Sequence, residues 1–119
     1  MQRILVVDDN KDILDLLKYI LEDSGYEVGT LANGNFLFDA IGSHQPDLIL
    51  LDVMLGNVDG RELCKQLKFT PATHNIPVIL ISATHNILCG NSGGSPDDFI
   101  AKPFDITQLL DSVKKQLAA

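Results

Sequence analysis

Three short runs of this sequence contain only branched apolar residues, and they constrain the fold more than any other feature. The runs are Ile4–Val7, Leu48–Leu51 and Val78–Ile81. A strand without polar residues has no face that tolerates water, so such strands lie inside parallel sheets that helices cover on both faces. Segments with helical periodicity separate the runs, which is the alternation typical of βαβ units. The pattern therefore predicts a doubly wound α/β domain.

Weaker patterns complete the predicted set of elements. Two further strands, which make the sheet five-stranded, are expected at Tyr26–Leu31 and Phe99–Ala101. Helices are expected over Asp12–Ser24, around Phe36–Ile41, near Arg61–Lys68 and after Asp105. The core-facing stripe of the first helix is expected to comprise Ile13, Leu16, Leu17, Ile20 and Leu21. With 119 residues and no dividing linker, residues 1–119 are predicted to form one domain.

Composition and charge argue against several classes of function. The chain has 9 basic and 16 acidic residues and a net charge of −7, so direct binding to nucleic acid is not expected. No apolar run approaches the roughly 20 residues of a membrane helix, and no signal-peptide pattern opens the chain; a cytoplasmic location without membrane contact is expected. Cys64 and Cys89 are expected to be free, and His44, His74 and His85 to lie at the surface.

Polar residues follow four of the predicted strands at the point where each strand ends. Asp8 and Asp9 follow the first strand, Asp52 the third, Ser82 the fourth and Lys102 the fifth. Each residue has an ordinary explanation by itself, as a helix cap, a turn hydroxyl or a surface charge. In a doubly wound sheet, however, all of these strand ends meet at one edge, where ligands bind. The coincidence therefore predicts a functional site.

Carboxylates gathered at this edge predict either that some of them are protonated or that a cation binds there. Two like charges about 4 Å apart repel by roughly 4 kcal/mol at an effective dielectric constant of about 20. Oxygen ligands without His or Cys favour a hard cation. Mg²⁺ is bound through one or two carboxylates together with substrate phosphate. An aspartate nucleophile, a metal ion and a lysine are the components of phosphoryl transfer.

These motifs together resemble the receiver domain of two-component response regulators, and the resemblance covers the whole chain. It rests on the acidic pair that follows Ile4–Val7, on Leu50-Leu51-Asp52, on Asp59-Gly60, on Ser82-Ala83 and on Lys102-Pro103-Phe104. Each fragment is common, but their order and spacing make the set specific. The resemblance implies the flavodoxin-like strand order 2-1-3-4-5.

The resemblance also implies a ligand set for Mg²⁺. Asp9 and Asp52 would bind the ion directly, with the backbone carbonyl of Met54 as a third protein ligand. Asp8 would act mostly through metal-bound water.

The remaining roles that the resemblance implies concern the phosphoryl group. Asp52 would be the phosphoryl acceptor, and Lys102 would pair with Asp52 and then with the phosphoryl oxygens. Ser82 would form a hydrogen bond with the phosphoryl group in the active form, and Phe99 occupies the position of the family's switch aromatic. The Lys102–Pro103 peptide bond would be cis.

Partners and function follow from the same resemblance. A sensor histidine kinase or a phosphotransfer protein would supply the phosphoryl group, and a homodimer or an output domain would carry the response. Such a domain catalyses only its own phosphorylation and dephosphorylation, so it is not an enzyme in the usual sense. One alternative is a pseudo-receiver, an interaction module that works without phosphorylation. A phosphatase of the haloacid-dehalogenase type is disfavoured because Met54 stands where that family has a second aspartate.

Two stretches depart from the family pattern. Leu55 and Gly56 stand where the family often has Met-Pro, and glycine allows that loop more conformational freedom. The second departure is Asn86–Asp98, which contains the helix-breaking run Gly90–Pro96. The family's fourth helix is therefore expected to be short or irregular in this chain.

Overall fold

The three apolar runs form the three central strands of a parallel sheet. The structure is a computed structural model that describes residues 2–56, 58–83 and 96–118. The sheet has five strands in the order β2-β1-β3-β6-β7. Their bounds are β1 Arg3–Val7, β2 Glu27–Leu31, β3 Leu48–Asp52, β6 Val78–Ser82 and β7 Asp98–Ala101. All neighbouring pairs are parallel, and β6 and β7 are the fourth and fifth strands of the sheet, so the predicted order 2-1-3-4-5 is confirmed.

Helices connect the strands and cover both faces of the sheet. Their bounds are α1 Lys11–Asp23, α2 Leu37–His44, α3 Gly60–Phe69 and α4 Ile106–Ala118. A short 3-10 helix, Gly34–Phe36, precedes α2. Two strands that the sequence did not predict, β4 Met54–Leu55 and β5 Val58–Asp59, form a small antiparallel hairpin between β3 and α3. The α/β class and the doubly wound architecture are thus as predicted.

Alternate residues of each central strand enter different cores. Leu48 and Leu50 of β3 pack with α1 and α4, whereas Ile49 and Leu51 pack on the other face with α2 and α3. Successive side chains of a strand point to opposite faces, so a strand between two cores must be apolar at every position. A sheet that is covered by helices on both faces therefore requires uninterrupted apolar runs in its central strands.

The stripe of α1 differs from the prediction at one position. Leu17, Ile20 and Leu21 are buried as expected, but Leu16 is 44% exposed and Leu14 is buried in its place. Neighbouring residues of a helix differ by about 100° around its axis. The helix sits on the sheet with the line through Leu14, Leu17 and Leu21 at its centre, which turns Leu16 toward solvent.

The remaining predictions have mixed outcomes. Cys64 is buried and forms no disulfide within the described part of the chain, and His44 and His74 are exposed, as expected. Cys89 and His85 lie outside the described residues, and so does most of Asn86–Asp98, where the short or irregular fourth helix was predicted. Among the described helices, none combines the length and the apolar character that a membrane span requires.

Candidate functional site

Strand register brings the predicted site residues to one edge of the sheet. Val7 of β1 is paired with Leu51 of β3, so Asp8 and Asp52 follow at the same level. Across the next two strand pairs, Asp52 aligns with Ile81 and Ser82 with Ala101, which Lys102 follows directly. Since all five strands run in one direction, residues far apart in the sequence meet at this edge.

Three carboxylates form a tight acidic cluster at this edge. Ligand oxygens of Asp8, Asp9 and Asp52 all lie within 4.8 Å of one another. Asp8 and Asp52 are only 1% and 4% exposed, whereas Asp9 is open to solvent. The cluster therefore has two desolvated carboxylates beneath one that faces water.

Lys102 supplies the positive charge beside this cluster. Its Nζ lies 3.2 Å from Oδ2 of Asp8 and 3.5 Å from Oδ2 of Asp52. The resemblance implied a pairing with Asp52, but the shorter contact is to Asp8. Because the lysine bridges both buried carboxylates, one ammonium group balances part of the charge of two.

Backbone N–H groups bind the other oxygen of each buried carboxylate. Oδ1 of Asp8 accepts a hydrogen bond from the N–H of Asn10 at 2.9 Å. Oδ1 of Asp52 accepts a longer hydrogen bond from the N–H of Met54 at 3.4 Å. Asp8 is therefore occupied on both oxygens by groups of the protein itself.

The electrostatic environment raises the pKa of Asp52 from its ordinary 3.8 to about 6. Burial is the largest cause, and the charge of Asp8 adds to it, while Lys102 and the N–H of Met54 oppose it. Desolvation and a nearby like charge both penalise the ionised form of a carboxyl group. Lys102 alone thus leaves the cluster short of positive charge, and a donor set made only of oxygens fits a hard cation such as Mg²⁺.

The other predicted residues surround this centre. Ser82 ends β6 and is fully buried, and its carbonyl accepts a hydrogen bond from the N–H of Lys102 at 2.7 Å. Phe99 is half-buried in β7 and packs against the core on the α2–α3 face. Met54 lies in β4, two residues after Asp52, and the Lys102–Pro103 peptide bond is cis.

The structure adds a supporting contact that the sequence did not predict. The side chain of Asp59 accepts a hydrogen bond from the backbone N–H of Arg61 and so caps α3. The Arg61 guanidinium also binds both carboxylate oxygens of Asp59, at 3.1 and 2.8 Å, and these hydrogen bonds hold the pKa of Asp59 below its ordinary value. An aspartate just before a helix, with an arginine two residues later, is the sequence signal that could have indicated this contact.

Comparison with known proteins identifies relatives along nearly the whole chain. Residues 4–114 match the family described as the response regulator receiver domain. The nisin biosynthesis regulatory protein NisR of Lactococcus lactis subsp. lactis is 38% identical over 117 residues, which are 97% of this chain and 50% of NisR. The chain thus spans about half the length of this curated relative.

Solved structures agree with the sequence comparison. A putative response regulator from Chloroflexus aurantiacus matches with a TM-score of 0.90 at 32% identity, over 99% of this chain and 98% of that one. The response regulator TrrA of Thermotoga maritima, solved in complex with Mg²⁺-BeF, matches with a TM-score of 0.87 at 32% identity, over 98% of this chain and 99% of that one.

Proposed function

This chain belongs to the family of response regulator receiver domains of two-component systems, and we propose that it accepts a phosphoryl group on Asp52. The donor would be the phosphohistidine of a sensor histidine kinase or of a phosphotransfer protein, in the cytoplasm. One observation carries the proposal: a buried aspartate lies in a cluster of three carboxylates, with a lysine ammonium 3.5 Å from its Oδ2. Aspartate as nucleophile and lysine as counter-charge are what phosphoryl transfer requires.

The transfer itself forms one bond and breaks one bond. A carboxylate oxygen of Asp52 attacks phosphorus, and the phosphorus–nitrogen bond of the phosphohistidine breaks with its electron pair remaining on the imidazole nitrogen. The product is an acyl phosphate on Asp52. Lys102 already lies against Oδ2 of Asp52, so it needs little movement to neutralise charge on the phosphoryl oxygens. Such a domain turns over no separate substrate and is therefore not an enzyme in the usual sense.

The acidic cluster supports a Mg²⁺ site with Asp9, Asp52 and the carbonyl of Met54 as direct ligands. When bound, Mg²⁺ would neutralise negative charge on the phosphoryl oxygens. Asp8 would contribute through water, because Asn10 and Lys102 bind its two oxygens at 2.9 and 3.2 Å, more closely than the oxygens of Asp52 are bound, at 3.4 and 3.5 Å. Asp9 faces solvent at the open side of the cluster, where a hydrated ion would enter.

Ser82 and Phe99 are the proposed switch residues. Ser82 ends the strand next to Asp52, where its hydroxyl would bind the phosphoryl group, and Phe99 is half-buried one strand further along. Phosphorylation would favour a conformation that is a minor state before it, which is a population shift between two arrangements. The new arrangement would be recognised by an output domain or by a second copy of the chain, without direct contact to nucleic acid or membrane.

Phosphorylation by a small donor tests this proposal directly. The protein is incubated with acetyl phosphate and Mg²⁺, and its intact mass is measured. We expect wild type to gain one phosphoryl group and Asp52→Asn to gain none, because an amide is not a nucleophile in this reaction. Asp15→Asn, an exposed aspartate of α1, is the matched control and should be labelled like wild type.

Two outcomes would contradict the proposal. Labelling of Asp52→Asn at the wild-type rate would show that another residue is the acceptor. Failure of wild type to gain mass, under conditions that label a known receiver, would favour the pseudo-receiver.

A further inference from the structure

Gly60, the first residue of α3, lies directly against the backbone of Asp52. A Cβ atom placed on Gly60 would lie 2.1 Å from the carbonyl oxygen of Asp52 and 2.9 Å from its carbonyl carbon. It would also lie 2.9 Å from Cα of Val53. Only glycine allows two backbone segments to approach this closely. The start of α3 and the end of β3 are therefore in backbone-to-backbone contact.

Hydrogen bonds hold this contact in register. The N–H of Gly60 donates to the carbonyl of Val53 at 2.8 Å, and the N–H of Val53 donates to the carbonyl of Ile81 at 3.0 Å. The residue before Gly60, Asp59, is paired with Met54 in the β4–β5 hairpin. The segment 52–54 is thus held between β6 on one side and the start of α3 on the other.

We infer that Gly60 is a positioning residue for the acidic site. Because Gly60 has no side chain, the backbone of residues 52–54 can lie directly against the start of α3, and this contact fixes its position. This inference rests on the proposed function. The segment carries both the Asp52 carboxylate and the Met54 carbonyl, which are two of the three proposed direct ligands of Mg²⁺. A displacement of this backbone would move both ligands relative to Asp9, which belongs to a different strand end.

The atoms around Gly60 explain why an added methyl group would move the site. The carbonyl of Asp52 would have to retreat by more than 1 Å to reach ordinary van der Waals contact, and a backbone atom cannot rotate away. Gly34 offers the contrast, since a Cβ there would meet the end of the flexible Leu63 side chain at 2.8 Å. A misplacement of about 1 Å costs on the order of 100-fold in a reaction that depends on position.

The affinity of the protein for Mg²⁺ tests the inference independently of phosphorylation. Isothermal titration calorimetry with MgCl₂ is carried out on wild type and Gly60→Ala, well below the melting temperature of each. We expect the Mg²⁺ dissociation constant of Gly60→Ala to rise by roughly 10-fold or more, as is found when groups that orient metal ligands are removed. The rate of phosphorylation by acetyl phosphate at saturating Mg²⁺ should fall by a comparable factor.

Two control variants separate positioning from general destabilisation. Gly34→Ala introduces the same methyl group where a side chain can yield, and Leu67→Ala removes buried core contacts further along α3. Leu67→Ala should lower the melting temperature, and both controls should keep the wild-type dissociation constant for Mg²⁺. A merely structural role for Gly60 would give Gly60→Ala the same profile as Leu67→Ala, and that result would overturn the inference.

The outcomes also distinguish this inference from the proposed function. If wild type neither binds Mg²⁺ nor gains a phosphoryl group, the proposed function fails and the inference fails with it. If wild type does both and Gly60→Ala matches wild type, only the inference fails.

If Gly60→Ala does not fold, NMR spectroscopy of the wild-type protein tests the inference instead. During a titration with MgCl₂, the amide resonance of Gly60 should shift with the same dissociation constant as that of Asp52, because its N–H is bonded to Val53. The amide of Gly42, which has open space around it, should stay still. A stationary Gly60 resonance beside a moving Asp52 resonance would overturn the inference.

Discussion

The surroundings of Asp52 have two opposing effects on its protonation state. Burial favours its protonated form, while its contact with Lys102 favours the carboxylate. Burial and the charge of Asp8 prevail, and the pKa of Asp52 rises to about 6. With a pKa of about 6 the carboxyl is mostly ionised at neutral pH, and a cation bound beside it would lower this pKa further.

The raised pKa predicts how stability depends on pH when metal is removed with EDTA. The folded state binds the Asp52 proton more tightly than the unfolded chain, whose carboxyl titrates at about 3.8. The stability that this protonation contributes is fully present below about pH 4 and is lost as pH rises through about 6. Asp52→Asn should not lose this stability as pH rises, because its amide never ionises.

We therefore expect Asp52→Asn to match wild type near pH 4 and to exceed it near pH 7 in free energy of unfolding, by roughly 3 kcal/mol. Urea denaturation at a series of pH values measures this difference. Subtracting the unfolding free energy of wild type from that of Asp52→Asn at each pH removes the contribution of the other carboxyl groups, which titrate in both proteins. A difference that does not change with pH would contradict the prediction.

At the scale of elements, the junction between β1 and α1 explains why neither aspartate of the acidic pair is needed to cap the helix. An aspartate before a helix is most simply a helix cap, but Asn10 performs that role. Its side-chain oxygen accepts hydrogen bonds from the N–H groups of Asp12 and Ile13 at 2.9 and 3.3 Å. Its own N–H donates to Asp8. One residue thus starts the helix and holds a carboxylate of the site.

Replacing this cap should cost a predictable amount of stability. We expect Asn10→Ala to lower the free energy of unfolding by about 1 kcal/mol, because two N–H groups at the start of α1 lose their acceptor. Asn10→Ser is the matched control, since serine also caps helices, and it should remain close to wild type. Chemical denaturation measures both variants, and equal losses in the two would argue against the capping role.

At the scale of the whole molecule, the site exists only because the sheet is assembled. Asp9 and Asp52 are separated by more than 40 residues in the sequence and meet through the pairing of β1 with β3. The unfolded chain offers no such cluster. A ligand that binds only the folded state raises the melting temperature by mass action.

Mg²⁺ should therefore stabilise the wild-type protein against heat in a concentration-dependent manner. We expect the melting temperature of wild type to rise with MgCl₂, by the equivalent of about 2.7 kcal/mol at 100 times the dissociation constant. Asp9→Ala should lose most of this response and, in EDTA, melt slightly above wild type because one repelling charge is gone. Asp15→Ala, on the exposed face of α1, should respond like wild type. Differential scanning calorimetry gives all three comparisons, and an undiminished Mg²⁺ response in Asp9→Ala would refute its role as a ligand.

Patterns along the chain were sufficient for much of this fold. The alternation of apolar runs with helical stripes predicted the five-stranded parallel sheet, because burial on both faces leaves no choice of residue type. The stripe of α1 was predicted less well, since Leu14 and Leu16 are equivalent in type and only packing against the sheet tells them apart. The β4–β5 hairpin cannot be predicted from the sequence, because strands of two residues are too short to show the alternation of apolar and polar residues that is typical of a strand.

The order of strands and polar residues along the chain is enough to predict which residues reach the site. Once the strands are parallel, the residue that follows each strand must lie at the same edge, so the sequence alone predicts that Asp8, Asp52, Ser82 and Lys102 meet there. How these residues interact depends on the packing of the folded chain. There, Lys102 lies closer to Asp8 than to Asp52, and Gly60 lies directly against the Asp52 backbone. Local order along the chain selects strands and their ends, whereas contacts at the scale of 1 Å depend on how separate segments pack, and no local pattern encodes that.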